Sequence, residues 1–444
     1  MNPIRTAYRL FYRERYRRYE ELTRHLSLSP EEVRALANER LRGILRYAVD
    51  HVPRYKELRA QFEKAYRGAS GEELLALFPV ATKSDIRDRR GLFLSDEFGS
   101  IRRSRDQTGG TTGERHEFWH DYSCKLLGQA SLLRSFSMMG CSPDDDALWV
   151  WFEKKRRPPV QKLKDLLRPL CSGKHLLNAP YMTEAAFPEI VDHINRRGIR
   201  FIYGYVSGIY FIARWMIRKG LATPGVEAVM TSAERLEPEQ RRIIGEAFGA
   251  RVFSQYGSDE VAGLATECRK GNMHLFTDMA HVEVSAKRAG DRGPLLVTNL
   301  HNRCMPFIRY QIGDAGQLIE EICPCGLPFP LMNKEVGRTD EDFFLPSGAV
   351  VPAGYFTGLV FAMDGVARFQ FVQRATGEIE LHVIRDDGFG SETERNLAAL
   401  PDRVREDHGE NLRISVSYVD SIPLTVQGKY RFILSQASAA GGRR

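Results

Sequence analysis

Residues 201–260 read FIYGYVSGIYFIARWMIRKGLATPGVEAVMTSAERLEPEQRRIIGEAFGARVFSQYGSDE. Phe201–Tyr205 is a short apolar, aromatic run of strand character. A strongly apolar helix follows, from about Gly208 to Lys219. Glu227–Ser232 reads as a second strand, Pro238–Phe248 as an amphipathic helix, and Arg251–Gln255 as a third strand. Strand, helix and strand at this spacing imply crossover units and a largely parallel sheet, so the expected fold class is α/β.

Working outward, roughly the first 65 residues are rich in Arg, Glu, Leu and Tyr with few breakers, and read as helical. Ser29-Pro30-Glu31-Glu32 is a helix start: a serine cap, proline in the first turn, then acids at the positive end of the dipole. Beyond about residue 280 the texture changes. Pro294–Asn299 and Phe307–Ile312 read as strands, with Gly313-Asp314 as a turn. Arg368–Gln373 and Glu378–Ile384 flank the hairpin turn Ala375-Thr376-Gly377. Glu392–Glu406 reads as helix, interrupted near Pro401, and Arg413–Val419 as strand. The expected organisation is a large domain over 1–337, with mixed, mostly parallel sheets and the helical segment 1–65. A small, mobile α+β lid domain over 338–444 follows, and Ser438–Arg444 is a disordered tail.

The 444 residues are 43% hydrophobic and 27% charged, with a formal charge of +7. The length exceeds what one core usually serves. No apolar run is long enough to cross a bilayer, and the opening residues lack the apolar core of a secretory signal. Seven unevenly spaced cysteines do not form a disulfide framework, which points to a reducing, cytoplasmic compartment. Basic residues are dispersed among acids, so a nucleic-acid partner is not expected. Only Arg13–Arg18 and Lys154–Arg157 are basic runs, read first as solvated surface and second as a contact for a membrane surface or an anionic cosubstrate.

Four segments have the chemistry for a nucleotide, three of them for its phosphates. Thr108-Gly109-Gly110-Thr111-Thr112-Gly113 offers a backbone that phosphate can approach closely, with N–H and hydroxyl donors; read alone, it is equally a polar turn. Gln255-Tyr256-Gly257-Ser258-Asp259-Glu260 follows a strand, at the edge where parallel sheets bind ligands. Its two carboxylates suit magnesium on phosphates, or simply an acidic helix start. In Asn302–Asp314, a carboxylate at Asp314 can accept both hydroxyls of a ribose. In Pro423–Arg431, Gly428 sets Lys429 on a turn from which a cation can reach a phosphate and a carboxylate, although read alone it is more often just a surface lysine.

Cys268, His274, Cys323 and Cys325 form a further set. Three thiols and one imidazole are a tetrahedral zinc complement, although the spacing is not that of a standard finger and free thiols in turns are the competing reading. Cys124, Cys141, Cys171 and Cys304 read as small buried residues, and His116, His120 and His301 as structural or exposed, with His116 or His120 alternatively near the phosphates.

The order of these segments carries more than any one of them. A glycine-rich threonine loop, Tyr-Gly-Ser-x-Glu, Tyr-x-x-Gly-Asp, Gly-Arg-x-Asp and a late Gly-Lys resemble the acyl-adenylate-forming enzyme superfamily. The resemblance runs from about Gln107 to Arg431. Through Tyr203-Gly204-Tyr205, Val297–Leu300 and Arg303–Asp314 the chain looks most like the phenylacetate–coenzyme A ligase branch, including the capsule-biosynthesis ligase-like proteins. That resemblance implies an AMP-forming acid–thiol ligase that uses ATP, Mg2+ and CoA. Thr108–Gly113 would cover the ATP phosphates. Ser232, Ala233 and Glu234 would line the adenine pocket, Tyr256 would stack near adenine beside Gly257 and Ser258, and Glu260 would help bind magnesium. Asp314 and Arg338 would grip the ribose, Asp340 would be the hinge, and Lys429 would catalyse adenylation. Tyr203, Gly204 and Tyr205 would lie at the acyl pocket. Glu114 after the loop, Val206 after Tyr-Gly-Tyr, and Gln427-Gly428-Lys429-Tyr430 depart from the family pattern. Partners implied are a carboxylic acid, aryl or acyl, and CoA, with an amine acceptor as the alternative; a homodimer stays open. A non-catalytic basic binding protein is the reading of a different class.

Overall fold

The computed structural model describes residues 3–109, 115–151, 169–179, 184–286, 288, 290–338, 343–347, 350–351, 353–361, 363–425 and 430–435. A hairpin of strands β1 (Arg103–Gly109) and β2 (Arg115–Asp121) precedes the long helix Tyr122–Met139. The central sheet then takes β3 (Ala147–Trp151), β4 (Lys174–Asn178), β5 (Phe201–Tyr205), β6 (Ala228–Ser232) and β7 (Arg251–Tyr256) in the order β4-β3-β5-β6-β7, all parallel. It continues antiparallel through β8 (Ala265–Glu267), β9 (Met273–Leu275) and the two-residue strands Leu331–Met332 and Leu318–Ile319. The helices expected between the strands form at Val206–Lys219 and Pro238–Phe248. The α/β expectation therefore holds.

β5 and β6 are buried at every position, as strands covered on both faces must be. Gly204 lets β5 approach β3, because a Cβ there would collide with the Val150 carbonyl oxygen. A second, antiparallel sheet holds β10 (Ala280–Val284), β11 (Gly293–Asn299), β12 (Tyr310–Gly316) and the short strand Gly337–Arg338. Here the Gly313-Asp314 turn expected from sequence is corrected. Both residues lie inside β12, where Gly313 at φ +88° accompanies a slip of register against β11 between Pro294 and Leu296. A glycine in a strand permits this irregularity as readily as it permits a turn.

The first part of the chain forms helices at Pro3–Phe11, Arg13–Arg24 and Pro30–His51. Ser29 caps the third, its hydroxyl accepting from the Glu32 N–H while Glu32 accepts from the Ser29 N–H. Arg134 and Asp278, both fully buried, pair at 2.6 Å, and His25 adds a 2.7 Å contact to Asp278, tying the helical layer to the body. These partners hold the Asp278 carboxyl well below its usual range despite its burial.

The last part of the chain is α+β. β13 (Val366–Ala375) and β14 (Glu378–Arg385) form the expected hairpin, extended in parallel by β15 (Arg413–Tyr418) and β16 (Ile433–Ser435) in the order β15-β14-β13-β16. The helix expected over Glu392–Glu406 is two, Ser391–Ala398 and Leu400–His408, with Pro401 in the first turn of the second. This unit shares one apolar cluster with the helices of the central sheet; Tyr210 meets Phe361 at 5.2 Å and Phe211 meets Tyr430 at 5.4 Å. Arg214 donates to the carbonyls of Met363 (2.8 Å) and Val366, and Arg218 pairs with Asp386.

Candidate functional site

Side chains converge at the carboxyl ends of β5, β6 and β7, where a parallel sheet opens its ligand-binding edge. β7 delivers Gln255 and Tyr256. The Gln255 amide oxygen accepts from the hydroxyls of Ser232 (2.8 Å, end of β6) and Tyr203 (3.5 Å, on β5). The chain then turns sharply: Ser258 N–H donates to the Val261 carbonyl, and the Ser258 hydroxyl accepts from Val261 N–H at 3.0 Å. This turn directs Glu260 inward, while Asp259 stays exposed.

The Tyr256 hydroxyl donates to Asp314 Oδ2 at 2.7 Å, and Arg338 Nε lies 3.4 Å from Asp314 Oδ1, directly across the ladder from β12. The Tyr310 hydroxyl donates to Glu260 Oε1 at 3.3 Å. Tyr256 and Tyr310 each sit in the fields of Glu260, Asp314 and Arg338, so these five side chains form one cluster. Burial raises both tyrosine hydroxyls far above their ordinary pKa, so both donate rather than ionise. Burial also raises the Glu260 carboxyl, and neighbouring Asp259 adds to the rise. A buried carboxylate of this kind gains most from a cation placed beside it.

The β1–β2 hairpin lies against this cluster. His120 bridges it, with Nε2 2.9 Å from the Glu260 carbonyl and Nδ1 3.1 Å from Asp106. Directly opposite Thr108, His116 lies parallel to the Tyr310 ring at 6.4 Å. His116 is buried, and neither ring nitrogen has a hydrogen-bond partner among the described residues. Burial lowers its pKa to about 4, with Lys83, Arg90 and Arg87 contributing. Of the threonine loop, Thr108 and Gly109 end β1; Gly110, Thr111, Thr112 and Gly113 lie outside the described residues, as do Asp340 and Lys429.

Ala233 adopts φ +67° immediately after β6. Beyond it, Glu234 accepts from the Ser207 N–H (2.7 Å) and hydroxyl (3.0 Å), satisfying the start of the helix Val206–Lys219. Its carboxylate is thus engaged with the fold at the rim of the site. Tyr203 and Tyr205 lie on one face of β5 against Trp149 and Trp151, with ring separations of 4.5–5.3 Å. Phe136 closes on Tyr203 at 5.2 Å. Tyr310 opens the Tyr-x-x-Gly-Asp motif, but sequence reasoning gave it no role in the site. The signal was there, since Tyr310, Ile312 and Asp314 alternate along one strand.

The cysteine–histidine set assembles away from this cluster. One ligand atom from each of Cys268, His274, Cys323 and Cys325 lies within 4.8 Å of the others. The Cys268 and Cys323 sulfurs are 3.7 Å apart, and Cys325 Sγ is 3.2 Å from His274 Nε2. His274 Nδ1 contacts the Phe329 carbonyl at 2.9 Å, so Nδ1 carries the proton and Nε2 presents its lone pair to the sulfurs. Backbone N–H groups of Lys270 and Leu327 point at Cys268 and Cys325 sulfurs. This donor set and spacing fit tetrahedral zinc. Of the other cysteines, Cys124, Cys141 and Cys304 are buried as expected, whereas Cys171 is only partly covered.

Comparison with known proteins gives a consistent pattern. Residues 343–436 match the family model of the CapK C-terminal domain. Protein CapK of Staphylococcus aureus is 22% identical, over 96% of this chain and 94% of its own length. Phenylacetate-coenzyme A ligase of Thermus thermophilus is 25% identical, over 92% of this chain and 97% of its own length. Among solved structures, 2-hydroxyisobutyryl-CoA ligase in the postadenylation state with a bound acyl-AMP superimposes with a TM-score of 0.72 at 20% identity, covering 93% of this chain and 91% of that one. The same enzyme in its thioesterification state gives 0.58.

Proposed function

We propose that this chain, a relative of the acyl-adenylate-forming ligases of the phenylacetate–coenzyme A ligase and CapK type, activates a carboxylic acid with ATP and passes the acyl group to CoA. The observation that carries the reading is the Tyr256–Asp314–Arg338 and Glu260–Tyr310 cluster at the carboxyl edge of the parallel strands. It offers a carboxylate for a ribose, an aromatic face beside it, and a second, buried carboxylate next to the hairpin that bears the threonine loop.

A carboxylate oxygen of the acid attacks the α-phosphorus of ATP, and the bond to the bridging oxygen of pyrophosphate breaks. The product is a mixed anhydride. Asp314 accepts from the ribose hydroxyls and Arg338 steadies Asp314. Tyr256 packs on the adenine side with Gly257 and Ser258, and Ser232, Ala233 and Glu234 form the rim. Thr108–Gly113 donate to the phosphates. Glu260 would hold Mg2+, which when bound offsets the charge gathered on the phosphates. Lys429 neutralises the α-phosphate and the attacking carboxylate. The CoA thiolate then attacks the acyl carbon and AMP leaves with the anhydride oxygen. Residues 338–444 act as a lid that turns at Asp340 between the two steps. The higher TM-score to the postadenylation state of 2-hydroxyisobutyryl-CoA ligase than to its thioesterification state, 0.72 against 0.58, supports this reading.

Tyr203, Gly204 and Tyr205 with their tryptophan neighbours border the acyl side, which favours a flat or aryl acid. Cys268, His274, Cys323 and Cys325 would hold a zinc ion, and because four protein ligands would leave no open position for catalysis, its role would be structural. Free thiols fit a reducing, cytoplasmic setting. The test is hydroxylamine trapping over a panel of acids, followed by thioester formation with CoA. A hydroxamate with no thioester, but an amide with added amines, would replace CoA by an amine acceptor. No hydroxamate with any acid would remove the adenylation itself.

A further inference from the structure

The helix Pro3–Phe11 rests on the protein by its charged side. Arg5 donates to Asp146 Oδ1 at 2.7 Å and to the carbonyls of Asp144 and Pro169, and Arg9 pairs with Asp144 at 2.7 Å. Its apolar side faces outward: Ile4 is 48% exposed, Leu10 69% and Phe11 81%, with Pro3 and Ala7 exposed between them and Tyr12 following. Positions 3, 4, 7, 10 and 11 share one face of a helix. No residue of the helix is buried. Leu170, next to the Pro169 that accepts from Arg5, is itself half exposed. Lone exposed leucines are ordinary, but a stripe of this kind marks an interaction surface.

We propose that this face seats the protein on an anionic lipid bilayer, with the helix lying in the plane of the headgroups. Charge supports this occupant. Residues 1–13 contain no acidic residue, and of their three arginines Arg5 and Arg9 are paired with Asp146 and Asp144, which leaves Arg13 to face outward. Arg13 is exposed at the end of the apolar stripe, and Arg17, one turn further on, is 65% exposed and shares its charge with Glu14 in a solvent-facing pair of the kind that exchanges readily. Such arginines meet anionic headgroups while the apolar side chains enter the boundary with the acyl chains. Size argues against a second copy of the chain. A nine-residue helix is only about 14 Å long, and its one stripe falls well short of the ~800 Å² per partner of a stable interface. A shallow insertion of about 5–10 Å needs no more than this stripe. The Arg5 and Arg9 contacts fix which side faces out, so the helix need not fold on arrival. This inference is independent of the reaction proposed above.

The experiment is co-sedimentation of the full chain with phosphatidylcholine vesicles, with and without about 30% phosphatidylglycerol, at low and high salt. Variants are the double substitution L10S/F11S and Arg13→Glu; neither touches the nucleotide cluster, so thermal melting and pyrophosphate exchange should stay at the parent level. The expected result is binding to the anionic vesicles at least about tenfold tighter than to neutral ones and weakened by salt. L10S/F11S should lose about tenfold or more, and Arg13→Glu should lose anionic preference. No binding to anionic vesicles, or equal binding by parent and L10S/F11S, would overturn the proposal. A dimer in light scattering that L10S/F11S dissolves, without vesicle binding, would overturn it by giving the face to a second copy.

Discussion

Replacing Asp314 by Asn probes the nucleotide cluster with the smallest change of shape. Asp314 accepts from the Tyr256 hydroxyl at 2.7 Å and faces Arg338 at 3.4 Å, and its side chain is 12% exposed. An Asn keeps an acceptor for Tyr256, so folding should lose no more than about 1 kcal/mol. The ribose, in contrast, would lose the charge on an acceptor that takes both of its hydroxyls. A hydrogen bond to a charged group contributes about 1.5–3 kcal/mol. Taking the low end for each of two bonds, because Arg338 is substantially exposed and the rim is wet, gives about 3 kcal/mol. That converts to a loss of roughly a hundredfold in kcat/KM for ATP. The assay is ATP–pyrophosphate exchange at saturating acid with ATP varied, alongside a thermal melt. A fall smaller than about threefold with an unchanged melt would show that Asp314 does not contact the nucleotide.

Three further outcomes follow from the same geometry. Metal analysis of the purified chain should give one zinc per chain, and Cys323→Ser should lower both zinc content and the melting temperature while the exchange reaction survives at moderate temperature; a metal-free parent with an unaltered melt would dismiss the site. His116 and His301 are each held at about pKa 4 against an ordinary 6.5. The unfolded chain therefore binds more protons between those values, so stability should rise with pH from about 4 to 6.5, and His116→Gln with His301→Gln should flatten that slope in denaturant titrations; an unchanged slope would reject the assignment. Arg214→Ala removes the donor to the Met363 and Val366 carbonyls; if residues 338–444 are the lid proposed above, this should loosen them and raise thioester formation relative to pyrophosphate exchange by about threefold or more, and an unaltered ratio would count against that role for the contact.

The parallel core was legible because period and punctuation agreed. The apolar run Phe201–Tyr205, the amphipathic Pro238–Phe248 and the glycine breaks between them each pointed to the element that formed. The Ala375-Thr376-Gly377 hairpin was legible for the same reason. Gly313-Asp314 misled because glycine serves bulges and turns alike, and only pairing partners far along the chain distinguish them. The Cys268, His274, Cys323 and Cys325 set could be named from its donors, but its closeness depends on Leu331 pairing with His274 across more than fifty residues. Arg134 gave no sign of its complete burial, since a helical arginine looks the same whether it faces water or a buried Asp278. The outward apolar face of Pro3–Phe11 was equally hidden. Amphipathicity reveals that a helix has two sides, and only the Asp144 and Asp146 contacts tell which side is held.

The most direct measurement of adenylation is pyrophosphate exchange across a panel of carboxylic acids, run in parallel on the parent chain and on Lys429→Ala. Acid-dependent exchange in the parent, nearly abolished in the variant while its melt is unchanged, is the predicted result. Equal exchange in both, or none in the parent with any acid, would contradict it.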